Sequence, residues 1–162
     1  MAGLFVAALF TSAALLFWVQ PMVARMLLPL LGGTPTVWNT CMVFFQATLL
    51  AGYAYAHLLT TRFSIRLQTC IHLALMAVAV VVLPIGLTST GSEPWRSDPL
   101  LWLLGALFVV VALPFFVLSA SAPLLQSWFG RARHRSSSDP YFLYAASNLG
   151  SLVGLLGYPV LI

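Results

Sequence analysis

The amino-acid sequence predicts an all-α fold, a single transmembrane domain built as a polytopic bundle of about five helices. Of the 162 residues, 61% are hydrophobic and only 6% are charged, which lies far outside the range of soluble globular domains. The apolar residues form separate runs of about 20, the length that an α-helix needs to cross a bilayer core. Seven arginines and three acids give a net charge of +4, and they fall almost wholly between the runs. This distribution indicates membrane topology and not nucleic-acid binding.

The first two predicted helices cover residues 4–31 and 36–59 and are joined by a Gly-Gly-Thr-Pro turn. Pro21 and Pro29 each remove an intrahelical hydrogen bond, so we expect the second half of helix one to be kinked or displaced. Alanine and glycine recur in the second half of helix two, where they allow a neighbouring helix to approach closely.

The remaining predicted helices cover residues 67–87, 100–128 and 140–162. The third is a plain apolar run, and a Ser/Gly/Pro-rich loop follows it. The fourth contains Pro114 and Pro123 and is expected to be broken. The fifth should begin at Asp139-Pro140, because aspartate is a good N-cap and proline fits the first turn of a helix.

The fifth predicted helix presents a surface for close helix packing. Its packing residues are small or polar side chains in an apolar setting: Ser147, Asn148, Gly150, Ser151, Gly154 and Gly157. Gly150 and Gly154 form a GxxxG-type pair, which we expect to contact another helix of this chain in preference to a second copy. The Asn148 amide needs a hydrogen-bond partner at membrane depth.

The loop charges predict how the helices are oriented. Arg62 and Arg66 lie in one connection, and Arg131, Arg133 and Arg135 lie in another on the same side of the membrane. The positive-inside rule places both loops and the N-terminus in the cytoplasm. Five spans then leave the C-terminus outside, directly after an apolar run. We therefore expect the chain to be part of a larger whole or to be covered by a partner.

Three stretches of sequence resemble a known family. They are LLPLLGGTPTVWNTCMVFFQATLLAGYAYAHLL at 27–59, LPFFVLSASAPLLQSWF at 113–129 and DPYFLYAASNLGSL at 139–152. Together they resemble the N-terminal membrane domain of bacterial fused major-facilitator-type/spermidine synthase-like proteins. The resemblance implies a transporter-like helical domain in the bacterial inner membrane, resembling part of a major-facilitator-type half. The family's soluble aminopropyltransferase-like domain has no counterpart here, because Gly32-Gly33 stands between two membrane helices and does not follow a strand.

Arg25 is the most unusual residue, because an ionised side chain within an apolar run is costly and usually faces a cavity, a partner or the interface. One interpretation is an anion site or a gate inside the bundle, with Gln20, Asn39 or Gln46 nearby. The other is structural: the guanidinium snorkels to the headgroups or bonds carbonyls that the two prolines leave without donors. Both interpretations stay open at this point.

His57 and His72 are weak candidates for a metal or haem site. Antiparallel helices could bring the two imidazoles together, but Cys70 is the only other ligand type at that depth. We therefore predict no metal and no cofactor. Cys41 and Cys70 fall near opposite ends of their helices, so a disulfide between them is not expected.

The sequence does not supply a self-sufficient enzyme site. Its acids are Glu93, Asp98 and Asp139, all in predicted loops, and they form no catalytic set with the histidines or serines. Two functions remain. The leading hypothesis is an integral membrane subunit or scaffold of a larger inner-membrane complex, whose partners are lipid, other membrane subunits or a second copy. The alternative is a transporter-like module for a polyamine or another small solute, framed by broken helices and acting as an oligomer or with a partner chain.

Overall fold

A computed structural model of the chain describes residues 2–83, 98–131 and 141–161. The described residues form six helices and no strand, which confirms the all-α fold class. The helices are α1 (Ala2–Leu31), α2 (Pro35–Arg62), α3 (Ile65–Val81), α4 (Pro99–Val110), α5 (Ala112–Arg131) and α6 (Tyr141–Leu161).

Local sequence explains where α1 ends and where α2 and α4 begin. Gly32 ends α1 with a positive φ of 72°, where its N–H donates to the carbonyl of Leu28 at 2.9 Å. Thr34 is the N-cap of α2, and Pro35 occupies its first turn. Asp98 is the N-cap of α4, where its carboxylate accepts a hydrogen bond from the N–H of Leu100 at 2.8 Å.

The predicted fourth helix is divided into α4 and α5 at Val111. Pro114 causes this break, because it has no N–H to donate to the carbonyl of Val110 and its ring crowds that carbonyl. The ladder resumes directly afterwards, where Phe115 donates to the carbonyl of Val111 at 3.0 Å. By contrast, α1 continues as one helix through both of its prolines.

Some predicted features lie outside the described residues. These are the end of predicted helix three at 84–87, Glu93, Arg133 and Arg135, and the Asp139-Pro140 start of predicted helix five. Helix α3 ends at Val81, and its C-cap is Val82.

Three of the described helices, α1, α2 and α5, are long and apolar enough to cross a membrane. Helices α3 and α4 are apolar but shorter, with 17 and 12 residues. At about 1.5 Å per residue α4 is about 18 Å long, less than the roughly 30 Å of a hydrocarbon core. The predicted five-span topology thus remains a prediction.

Helix α5 lies at the centre of the bundle, where it packs against α1, α2, α3 and α4. One apolar cluster joins α1, α2, α4 and α5 around Leu27, Phe45, Leu103 and Phe115. A second joins α2 to α5, and a third joins α1, α5 and α6 around Phe129. These contacts set α5 parallel to α2 and antiparallel to α1.

The most extensive helix pair is α1 with α6, and two glycines make it possible. A Cβ added to Gly150 would collide with the backbone carbonyl of Phe10, and one added to Gly154 would lie 2.7 Å from the carbonyl oxygen of Ala14. Because both glycines keep the same offset from their partners, α6 runs parallel to α1. The GxxxG pair therefore lies against a helix of the same chain.

Candidate ligand-binding site

A cleft of about 510 Å³ separates α1 from α2 and is closed at its sides by α5 and α6. This volume falls within the range of small-molecule sites. Its lining residues are Phe17, Gln20, Pro21, Ala24, Arg25, Leu28, Trp38, Cys41, Met42, Phe45, Gln46, Leu49, Phe115, Leu155 and Tyr158. Leu28 and Trp38 are 41% and 44% exposed, so the cleft is open to its surroundings.

Helix geometry places the polar side chains of the cleft at one level. The short turn after Leu31 makes α1 and α2 antiparallel, and Gln20 and Gln46 each lie about 16 Å from that turn at 1.5 Å per residue. Arg25 starts about 9 Å from the turn, but helical side chains lean toward the N-terminus. This tendency favours a guanidinium position nearer the level of Gln20 than the Cα of Arg25.

Tyr158 adds a further polar group at this level. The register of α6 on α1, set by Gly150 and Gly154, continues one turn further and brings Tyr158 close to the level of Gln20. Its hydroxyl is buried and has no hydrogen-bond partner within the described part of the chain. A buried hydroxyl without a partner is costly and calls for an explanation, such as a ligand or water.

Apart from its four polar side chains, the cleft is lined by apolar residues. None of the lining residues that the structure describes is acidic, and Arg25 carries the formal charge. The floor consists of aromatic and aliphatic side chains, among them Phe17, Phe45 and Phe115, whose last two rings lie 4.8 Å apart. The arrangement offers hydrogen-bond donors at one level and an apolar surface beside them.

The structure brings together three of the four predicted gate residues. Arg25, Gln20 and Gln46 all line the cleft, whereas Asn39 is exposed on α2 and is not part of the lining. Sequence reasoning missed Tyr158, although its position one turn after Gly154, on the face that meets α1, was a usable signal. It also missed Phe115, which only the packing of α5 brings to the cleft.

The packing residues of predicted helix five divide between two environments. Gly150 and Gly154 are buried against α1, and Ser151 donates to the carbonyl of Ser147 at 3.0 Å. Gly157 is half-buried. Asn148, for which we expected a hydrogen-bond partner, is exposed instead. The glycine face of α6 packs against α1, and Asn148 lies on the opposite face of the helix.

The two histidines have different surroundings. His57 is exposed, whereas His72 is buried and its Nε2 lies 3.1 Å from the Ser121 hydroxyl. No group of three or more His, Cys, Asp or Glu that could hold a metal ion occurs in residues 2–83, 98–131 and 141–161. Cys41 and Cys70 are both free, the first buried and the second exposed.

A buried polar network fixes α3 against α5 beside His72. The Ser121 hydroxyl donates to the carbonyl of Val117 at 2.8 Å, so the Nε2 of His72 is left as the donor in their contact. One turn before His72 in α3, Gln68 is fully buried and accepts a hydrogen bond from the indole N–H of Trp128 at 2.8 Å. We assign this network a structural role.

Comparison with known proteins finds no match: no protein-family model, no curated protein and no solved structure resembles the chain closely enough to identify it. The resemblance to the membrane domain of spermidine synthase-like proteins therefore remains a hypothesis.

Proposed function

We propose that this chain is a membrane-embedded, transporter-like module that binds a small solute in the cleft between α1 and α2. The observation that carries the proposal is that polar side chains separated in sequence, Arg25, Gln46 and Tyr158, line one cleft of small-molecule size. In a bilayer, charged and amide side chains such as Arg25 and Gln46 are rare and usually face a cavity, a partner or the interface. Their position in the lining of the cleft fits a cavity that admits a polar solute.

Placement in the bacterial inner membrane and the cytoplasmic Arg-rich loops belong to the same proposal. Three helices of sufficient length and apolar character support membrane insertion. The packing of Gly150 and Gly154 within the chain also matters, because it uses the surface that could otherwise have docked a partner subunit.

The polyamine alternative is disfavoured by charge. A polyamine carries several positive charges and needs carboxylates, but Arg25 repels it and no acid among the described residues lines the cleft. Asp98, the acid that the structure describes, caps α4 through its hydrogen bond to Leu100. The family resemblance alone would have favoured a polyamine.

Cys41 allows a direct test, because it lines the cleft while Cys70 is exposed on α3 outside it. The chain with Cys70→Ser, reconstituted in nanodiscs of zwitterionic lipid, is labelled with N-ethylmaleimide in the presence of one of four probes. The probes are decanoate, decylamine, decyl glucoside and spermidine. Cys41 is only 4% exposed, so we expect it to react slowly with N-ethylmaleimide in the folded chain and at least one probe to slow this reaction further.

The matched control is the variant with Cys41→Ser, in which only Cys70 reacts. No probe should slow that reaction, because Cys70 is remote from the cleft. If none of the four probes slows the reaction of Cys41, the cleft is not a solute site and the proposal is wrong.

The second candidate function is an integral membrane subunit of a larger inner-membrane complex. It is favoured by an apolar groove of about 490 Å³ between α2, α4 and α5, lined by residues that include Phe44, Ala51 and Phe108. Because α4 is too short to cross a bilayer, a transmembrane helix of a partner subunit is the occupant that fits this groove. Native mass spectrometry from the source membrane tests this: a stable complex with another subunit supports the candidate, and a chain that carries only lipid rejects it.

A further inference from the structure

We infer that the solute of the cleft is an amphipathic anion, whose carboxylate or phosphate group is held by donors at the level of Gln20 and whose apolar part lies on the aromatic floor. The inference rests on the proposed function and adds the chemical class of the ligand.

The polar side chains of the cleft form a donor set. They are Gln20, Arg25, Gln46 and Tyr158. A guanidinium has only donors, and amide and hydroxyl groups can each supply one. A planar guanidinium pairs with carboxylate or phosphate through two parallel hydrogen bonds, so an oxyanion is the group that this set fits.

The buried hydroxyl of Tyr158 is an independent observation in favour of a ligand. It lines the cleft, it is hidden from solvent, and it lacks a partner among the residues that the structure describes. An oxyanion in the cleft that accepts its hydrogen bond removes the penalty of an unpaired group.

The apolar side of the cleft selects an amphipathic anion over a small inorganic one. Phe17 and Leu49 lie deeper than the donors, as counted from the α1–α2 turn, Phe45 lies at about the level of the donors, and Phe115 closes the cleft from α5. A hydrated phosphate or sulfate gains nothing from these surfaces, whereas burial of an alkyl chain is worth about 0.8 kcal/mol for each CH₂.

The test compares two probes of equal chain length and opposite charge, decanoate and decylamine, in the Cys41 protection assay. We expect decanoate to protect Cys41 at concentrations at least tenfold lower than decylamine. Arg25→Gln should weaken protection by decanoate about 10- to 100-fold, since a hydrogen bond to a charged group contributes about 1.5–3 kcal/mol. Arg25→Lys keeps the positive charge but loses the paired hydrogen bonds, so it should retain more protection than Arg25→Gln and less than arginine.

Two further variants separate ligand contact from structural damage. Arg62→Gln removes an exposed arginine at the end of α2, outside the cleft, and should leave protection unchanged. Tyr158→Phe should weaken decanoate protection several-fold without loss of folded protein, because it deletes a hydroxyl that has no partner within the described chain. A purely structural tyrosine would not change the protection curve in this way.

A final arm distinguishes two sources of the same chemistry. Nanodiscs that contain phosphatidylglycerol in place of half of the zwitterionic lipid should protect Cys41 without any added probe if the natural ligand is a lipid headgroup. If they do not, the ligand is a soluble amphipathic anion.

The outcomes separate the two proposals. The inference that the ligand is an anion is wrong if decanoate and decylamine protect Cys41 equally, or if decanoate still protects it in Arg25→Gln. It is also wrong if spermidine alone protects Cys41. In each of these cases the cleft is still a solute site. Absence of protection by every probe in the Cys70→Ser chain with no other substitution removes the solute site itself.

Discussion

Replacement of Gly150 by alanine should loosen the pairing of α1 with α6. The added Cβ would lie 3.0 Å from both the Cα and the carbonyl carbon of Phe10 and closer still to its carbonyl oxygen. Carbon atoms pack at about 3.5–4.0 Å, so the two helices must separate by roughly 0.5–1 Å. The colliding atoms belong to the backbone, and a change of side-chain rotamer at Phe10 cannot relieve them.

The magnitude follows from a comparison with Gly105→Ala. Gly105 lies in α4 with no other atom within 4 Å of an added Cβ. Both substitutions gain the same helix propensity, roughly 1 kcal/mol at most, and this gain cancels between them. The overpacking cost of about 1–3 kcal/mol therefore appears as the difference in unfolding free energy. At the midpoint of that range, the unfolding equilibrium constants differ by more than tenfold.

The assay is reversible unfolding in mixed micelles with increasing SDS, followed by tryptophan fluorescence. Gly150→Ala should unfold at lower SDS than the wild-type chain, and Gly105→Ala at the same or higher SDS. If Gly150→Ala proves as stable as Gly105→Ala, the close approach of α6 to α1 is not what holds this helix pair, and the register that carries Tyr158 to the cleft loses its support.

Two further predictions concern the centre of the bundle. Trp128→Phe should destabilise the fold by about 1–3 kcal/mol, because it leaves the fully buried amide oxygen of Gln68 unpaired. The control Trp38→Phe, at the open cleft, should change stability by less than about 0.5 kcal/mol. The same SDS titration measures both variants, and equal effects would contradict the importance of the hydrogen bond to Gln68. Pro114→Ala should join α4 to α5, since the new N–H can donate to the carbonyl of Val110. Hydrogen–deuterium exchange across the junction should then slow by up to about 100-fold, in line with a proline penalty of roughly 3 kcal/mol. Exchange that stays fast would show that another feature causes the break.

The cleft also bears on the family resemblance. A membrane domain derived from spermidine synthase-like proteins suggests polycationic chemistry, but the charge at the cleft favours an anion, because Arg25 lies among its lining residues and no carboxylate of the described part of the chain does. The protection assay with spermidine and decanoate decides between them in one experiment. Its result therefore tests whether the resemblance extends from helix packing to ligand chemistry.

Much of the candidate site could be anticipated from single residues. Arg25 and Gln20 stand out in the sequence because charged and amide groups are rare in apolar runs, and both line the cleft. Asn39 stands out for the same reason but points elsewhere, since one residue changes the direction of a helical side chain by about 100°. Phe115 and Tyr158 could not be placed, because aromatic residues in apolar helices look alike until their neighbours are known.

By itself, the sequence determined the helical class, the positions of the apolar runs and the close-packing pair Gly150 and Gly154. These properties depend on composition and on short-range rules of capping, hydrogen bonding and residue size. The tertiary structure alone decided where the predicted fourth helix divides, which face of α6 meets α1 and which polar groups share a cleft. Those outcomes depend on packing between segments distant in sequence, where a glycine without a Cβ lets two backbones touch and sets the register of every residue that follows.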